Sequence, residues 1–305
     1  MLSIIVPARN DGKMTRECLG ALLHALERLR LQAELILIDD ASEPGEGILD
    51  AFRETRQRAR GQNVKIIRAA NHRHYSGVFS LGLHFAQGDR VFFLSNDMLV
   101  TPSFLLALLS VSALDTKIGI VRGTSNYTDS HPEYHIQPDR PLAGYNDILS
   151  FSAKRFAEGG IAFREDAVLS GDAVLISRAL IDAIGVLDLR FFGYFGDVDY
   201  GMRAHLAGFK LVCALGAWLY HVGGLHVTRE MQQLGESDPG AAGARRMALV
   251  ETAYAAFREK WGATLPPRYS DCPSLHFFPV AQAARDRTPL RHEMPASALE
   301  ELEFH

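Results

Sequence analysis

Residues 1–40 read MLSIIVPARNDGKMTRECLGALLHALERLRLQAELILIDD, and the fold turns on how they are parsed. Leu2 to Val6 is a short strand-like run of apolar and β-branched residues. From Met14 to Arg30 the apolar residues Cys18, Leu22, Ala25, Leu26 and Leu29 recur at helical spacing. Glu34 to Ile38 is a second strand, ending in Asp39 and Asp40. Strand, helix and strand in this order predict parallel pairing across a helical crossover.

The same alternation continues outward. A helix is predicted from about Gly47 to Arg60 with Ile48, Leu49 and Phe52 on its apolar side, then a strand from Val64 to Arg68. A loop with Asn71 and Gly77 leads to a helix near Val78 to Ala86, a strand from Arg90 to Leu94, and a helix opened by Pro102. The fold class is therefore α/β, with a doubly wound, mostly parallel sheet. Ligands of such sheets bind beyond the carboxyl ends of the strands, where Asp39, Asp40 and Asp97 lie. From Gly123 to about Asp166 the pattern loosens, and this segment reads as a substrate loop. Order returns at Gly171 to Ser177, in a helix from Arg178 to Ile184 stopped by Gly185, and in a helix from Asp197 to Ala207 ended by Gly208. Two strands follow, Phe209 to Cys213 and Trp218 to His221. Beyond Gly224, Gly235 to Gly243 reads as a flexible linker and Ala244 to Trp261 as a helix, with a Pro- and charge-rich remainder.

Composition narrows the function. A formal charge of -4 and a pI near 6.3 give no basic face for a nucleic acid. Cys18, Cys213 and Cys272 form no CxxC pair, so a reducing compartment is expected and no zinc or redox centre. The amino terminus runs straight into a strand without the features of a signal peptide. The most apolar region, Val91 to Val111, is broken by Asn96, Asp97 and Pro102 and is not a membrane span.

Several residues invite chemistry. Asp97 after an apolar strand is either an oxygen ligand for a hard divalent cation or a turn aspartate. Two aspartates side by side, Asp39 and Asp40, are costly unless neutralised or solvated, which favours a ligand. Asp197 and Asp199 at a helix start serve as a general base or as caps at the positive helix end. His221, leaving a strand, reaches a metal or phosphate or is a satisfied core histidine. Gly223 and Gly224 would let a backbone approach a phosphate. His72, His74, His131 and His135 show HxH and HxxxH spacings but lie in predicted loops without accompanying carboxylates, which does not make a metal site. Neither a GxxxxGK[ST] loop nor a GxGxxG fingerprint occurs, which weighs against kinase, NTPase and dehydrogenase chemistry.

Taken together, SIIVPARND, LILIDDAS, the loop from Asn71 to Gly77, VFFLSNDMLVTPSFL, GDAVLISRALIDAIGVLD, FFGYFGDVDYGMRAHLAGFKLV and YHVGG resemble the family 2 glycosyltransferases of GT-A fold, and among them the rhamnosyltransferase-like branch. The resemblance covers roughly residues 1–225. It implies a GT-A domain there, with residues 1–122 binding the nucleotide sugar, 123–225 binding the acceptor, and 226–305 a C-terminal helical extension that covers the cleft or forms a homodimer contact. The family moves a sugar, here UDP- or dTDP-linked, to an acceptor hydroxyl with inversion, using Mn²⁺ or Mg²⁺. By resemblance Pro7, Arg9 and Asp40 line the nucleoside pocket, Asp39 supports Asp40, and Asn71, Gly77 and Asn96 belong to the same nucleotide-sugar site. Asp97 matches the last acid of the family's DxD motif and holds the metal, while Ser95 stands where its first acid often lies. His221 completes the metal or diphosphate site. Asp197 is the base and Asp199 a supporting group. The family often has a glutamate before that base; this chain has Gly196. A cytoplasmic enzyme, or one at the inner face of a membrane, is implied. A sugar-phosphate nucleotidyltransferase and a non-catalytic nucleotide-sugar-binding protein are the alternatives.

Overall fold

The computed structural model describes residues 1–128, 132–169, 171–222, 239–262, 264–272, 278–287 and 290–305. The opening unit forms as its periodicity predicts: β1 (Leu2–Ala8), α1 (Gly12–Leu29) and β2 (Ala33–Asp40), with β1 and β2 parallel from Leu2 opposite Ala33 to Ala8 opposite Asp39. Asp11 caps α1 by accepting from the Met14 N–H at 3.0 Å. Then come α2 (Ile48–Arg58), β3 (Asn63–Ala69), α3 (His74–Phe85), β4 (Arg90–Leu94), β5 (Met98–Leu99), α4 (Pro102–Ser112) and β6 (Ile118–Ser125). The second half holds α5 (Tyr145–Gly159), β7 (Phe163–Asp166), β8 (Ala173–Ser177), α6 (Arg178–Ile184), α7 (Gly196–Leu206) and β9 (Lys210–His221). After them lie α8 (Pro239–Trp261), α9 (Phe278–Ala284) and β10 (Leu302–Phe304).

The strand order is β10-β3-β2-β1-β4-β8-β6-β9-β5, with β7 added on β9. β3, β2, β1 and β4 run parallel, β8 runs against both β4 and β6, and β6 and β9 are parallel again. Alternation along the central strands builds a core on each face. Ile4, Val6, Leu35, Leu37, Phe92 and Leu94 pack with α1, α2 and α4 on one side. Ile5, Ile36, Ile38, Val91 and Phe93 pack with α3, α6 and α7 on the other. Strands buried on both faces read as continuous apolar runs, as β1 and β2 do.

Three expectations change. The segment from Gly123 to Asp166, expected as an open substrate loop, holds the end of β6, all of α5 and β7. The apolar signal of helix α5 is weak, because its buried residues are only Ile148 and Ser152. Polar bonds hold it down: the Ser152 hydroxyl pairs with the Thr101 hydroxyl at 2.6 Å and donates to the Trp218 carbonyl at 2.7 Å. Second, β9 is one strand of 12 residues instead of two. It passes Gly216, where a Cβ would meet the Gly160 carbonyl at 2.3 Å, so glycine is what lets the end of α5 lie against the strand. Third, the tail is not irregular to its end, because β10 pairs antiparallel with β3, Leu302 opposite Ala69. The proposed linker from Gly235 to Gly243 lies partly outside the described residues, and α8 begins at Pro239. His131, Gly223 and Gly224 also lie outside them. Among the described residues no helix is long and apolar enough to cross a membrane.

Candidate active site

The turn after β4 carries Asp97, and β5 immediately after it pairs with the end of β9, Met98 opposite His221. This pairing sets the His221 Nε2 3.1 Å from Asp97 Oδ2, although 124 residues separate them. The Val222 N–H donates to the Asp97 carbonyl at 3.0 Å and fixes the approach from the backbone side. Asn126 brackets His221 by donating to its carbonyl at 2.8 Å and accepting from its N–H at 2.7 Å. The Tyr127 carbonyl lies 3.2 Å from His221 Nδ1. Both side chains are buried. Burial by itself lowers the imidazole pKa, but the bond to Asp97 and its charge outweigh that, and the pKa rises to about 9.

Asp197 enters from α7. Its Oδ2 accepts from the Gly171 N–H at 3.2 Å and its Oδ1 from the Val198 N–H at 2.9 Å. Burial, with the charge of Asp172 second, pushes its pKa up to about 6. Tyr75 donates to the Gly171 carbonyl at 3.1 Å, closing the site from α3. Gly171 and Asp172 therefore bridge the two sides: the first holds Asp197, and the carbonyl of the second accepts from the Ser95 N–H at 3.0 Å, two residues before Asp97.

Gly196 has a steric explanation. A Cβ there would lie 2.2 Å from the Ser76 hydroxyl and 3.2 Å from the Phe191 carbonyl. Ser76 is fully buried and bonded to that carbonyl, so no side chain fits at the first residue of α7.

Asp199, expected beside Asp197 in a supporting or capping role, points the other way. Its Oδ2 takes the Arg203 Nε at 2.8 Å, and its Oδ1 takes the Trp261 Nε1 at 3.1 Å and the Lys260 ammonium at 2.5 Å. Two residues along a helix are about 200° apart, so Asp197 and Asp199 cannot face one cleft. Asp188 joins this cluster through Lys260 at 2.9 Å and Arg190 at 2.8 Å. Asp188, Asp199 and His292 bring ligand atoms within 4.8 Å of one another, a spacing that would suit a metal. The Lys260 ammonium already stands among them, 3.1 Å from the His292 Nε2. Burial and the charges of Arg203 and Lys260 push His292 down to about 4, so it adds no charge. The place a metal would take is held by Lys260, and Arg203 and Arg190 add their charge to the two aspartates.

The residues expected on the nucleotide side divide. Pro7, Asp39 and Asp40 end β1 and β2 at the edge where Asp97 leaves β4, and Arg9 follows β1 as an exposed residue. Asp39 is spent on Arg68 at 2.7 Å and the Ser42 N–H at 2.9 Å. Asp40, expected to meet the base, accepts from the Arg73 N–H at 2.6 Å and contacts His72 Nδ1 at 2.6 Å. His72 thus serves the loop after β3. Asn96 donates to the Thr15 hydroxyl at 3.0 Å at the start of α1. Asn71 is drawn instead to Glu301 in the tail, and Gly77 lies inside α3 beside a cavity of about 240 Å³ lined by His72, Arg73, Phe192 and Met294.

The residues that sequence reasoning passed over are Asp172, Tyr75 and Asn126. Asp172 had a signal, a lone carboxylate directly before the buried strand AVLIS. A parallel sheet gathers its ligands at the strands' carboxyl ends, whereas β8 is antiparallel and brings its amino end to the site.

The family model described as "Glycosyl transferase family 2" matches residues 3–185. An uncharacterized protein of Mycobacterium tuberculosis is 27% identical over 209 residues, 63% of this chain and 74% of its own length. The glycosyltransferase GlyG of Streptococcus pneumoniae is 26% identical over 137 residues, 44% of this chain and 42% of its own. Among solved structures, the mannosyltransferase PcManGT of Pyrobaculum calidifontis in complex with GDP-Man and Mn²⁺ aligns with a TM-score of 0.57 at 17% identity, covering 98% of this chain and 77% of that one. GalNAc-T7 with UDP, GalNAc and Mn²⁺ aligns with a TM-score of 0.61 at 17% identity, covering 95% and 58%. The fold is thus GT-A-like, a mostly parallel central sheet flanked by helices, as the sequence motifs implied.

Proposed function

The chain belongs to glycosyl transferase family 2, and from that premise we propose that it moves a sugar from a nucleoside-diphosphate donor to an acceptor hydroxyl, inverting the anomeric carbon, with Asp197 as base. One observation supports the reading: Gly171 and Asp172, neighbours in the chain, tie the base to the metal side, the first through its N–H on the Asp197 carboxylate and the second through its carbonyl on the Ser95 N–H, two residues before Asp97 and its partner His221. Asp97 and His221 offer a carboxylate oxygen and an imidazole nitrogen in contact, a donor set that suits Mn²⁺ and accepts Mg²⁺ less readily. When bound there, the cation would neutralise charge on the departing diphosphate.

Asp197 takes the proton of the acceptor hydroxyl, and the freed oxygen attacks the anomeric carbon as the bond to the diphosphate breaks. Its pKa near 6 leaves it ionised at neutral pH yet basic enough to accept that proton. Two fold neighbours hold GDP-Man or UDP with Mn²⁺, which supports a nucleotide-sugar donor. We read the donor here as a UDP- or dTDP-linked hexose or deoxyhexose, as in the rhamnosyltransferase-like branch. Residues 1–122 hold the donor and 123–225 the acceptor, a glycan or glycoconjugate hydroxyl met in the cytoplasm or at the inner face of a membrane.

The test is release of nucleoside diphosphate from a panel of nucleotide sugars with and without Mn²⁺, beside binding of UDP, dTDP and GDP. Asp197→Asn is expected to cut transfer by about 100-fold or more while nucleoside diphosphate binding stays near wild type. Equal loss of both would refute the base assignment, and no binding of any nucleotide would refute the transferase reading.

A further inference from the structure

β8 lies antiparallel to β4, with Leu94 opposite Ala173. One step further along this register Ser95 faces Asp172, and the 3.0 Å bond from the Ser95 N–H to the Asp172 carbonyl shows that the pairing continues there. Opposed residues of an antiparallel pair project from the same face with Cβ atoms about 5 Å apart. The Asp172 carboxylate therefore arises beside Ser95, two residues before Asp97, on a strand that runs the opposite way.

A second observation places it against the histidine. Asp172 lines a small cavity of about 30 Å³ together with Met98, Ser125, Tyr127 and Thr128. Met98 is the residue paired with His221, and the Tyr127 carbonyl is the group at His221 Nδ1. Asp172 thus shares this cavity with residues that flank the Asp97–His221 pair in the chain or contact it.

We propose that Asp172 is a further carboxylate ligand of the divalent cation held by Asp97 and His221, supplied across the β4–β8 ladder where Ser95 offers only a hydroxyl. This assignment rests on the reading of the chain as a metal-dependent transferase. A hard dication prefers several oxygen ligands, and two carboxylates balance its charge where one would not.

The experiment titrates Mn²⁺ into the full chain without nucleotide and follows free Mn²⁺ by electron paramagnetic resonance. Wild type, Asp97→Asn, Asp172→Asn and the exchange Ser95→Asp/Asp172→Ser are compared, with thermal unfolding to confirm that each is folded. Asp172→Asn is expected to weaken Mn²⁺ binding by about 10-fold or more. The exchange, which returns the carboxylate from the facing strand, is expected to recover most of that loss. Wild-type affinity in Asp172→Asn, beside a loss in Asp97→Asn, overturns the assignment and leaves the transferase reading standing. A wild-type chain that takes up no Mn²⁺ overturns metal dependence itself, and this assignment with it.

Discussion

Asp197 is held as a carboxylate by two backbone N–H groups, from Gly171 and Val198, in packed surroundings that disfavour its charge. Burial and then Asp172 raise its pKa from 3.8 to about 6. A raised value means that the fold favours the protonated form, so the ionised group costs stability above about pH 6 and nothing below about pH 4, where both folded and unfolded chains are protonated. Asp197→Asn removes that cost. It is expected to unfold later than wild type at pH 8 by up to about 3 kcal/mol, the gain fading toward pH 4. Melting curves across that range check it, and a pH-independent difference would argue against a strained base. The wild-type transfer rate should fall as pH drops through about 6. Gly196 beside it supports a separate prediction. Gly196→Ala places a Cβ on the Ser76 hydroxyl and should cost about 1–3 kcal/mol by overpacking. Adding Ser76→Gly should recover most of it, and denaturant titration of the two variants decides.

Helix α7 shows how one element serves two ends. Asp197 faces the cleft, and Asp199 faces a buried cluster with Arg203, Lys260 and Trp261. Lys260 comes from α8, whose Val250, Ala253, Tyr254 and Phe257 pack with Phe195, Val198 and Met202 around the start of α7. Lys260→Met leaves Asp188 and Asp199 buried with one cation fewer, which should destabilise the fold by about 3–5 kcal/mol in urea titration. An effect below about 1 kcal/mol would mean that the arginines alone carry the charge. The helix start also shows why its residues read ambiguously in sequence: two aspartates in a first turn are equally good caps, ligands or ion-pair partners. Helix α5 is hard to read for another reason, since Ser152, bonded through its hydroxyl, interrupts the contact face on which Ile148 and Phe156 lie.

Across the whole molecule the tail returns to the β3 edge of the sheet. β10 covers the outer edge of β3, Glu301 takes Asn71, and the Glu300 carbonyl accepts from Arg73, whose own N–H is bound to Asp40. The loop that leads from β3 to α3 is therefore fastened at both the strand end and the tail. Removing residues 300–305 should weaken nucleoside diphosphate binding several-fold and leave β3 as a bare edge prone to association. Unchanged nucleotide affinity in that truncation would show that the loop keeps its shape unaided.

The sequence by itself determined the α/β layering, the parallel opening strands, the strand-end positions of Asp39, Asp40 and Asp97, and the family resemblance. These rest on periodicity and order, which are local properties of the chain. Only the tertiary structure decided which acids meet. Asp97 reaches His221 because β5 pairs with the end of β9, Asp172 reaches the site because β8 runs backward, and Asp199 leaves it because of helical phase. Strand direction, register and helix rotation set where a carboxylate points, and all three come from long-range packing that no window of residues contains.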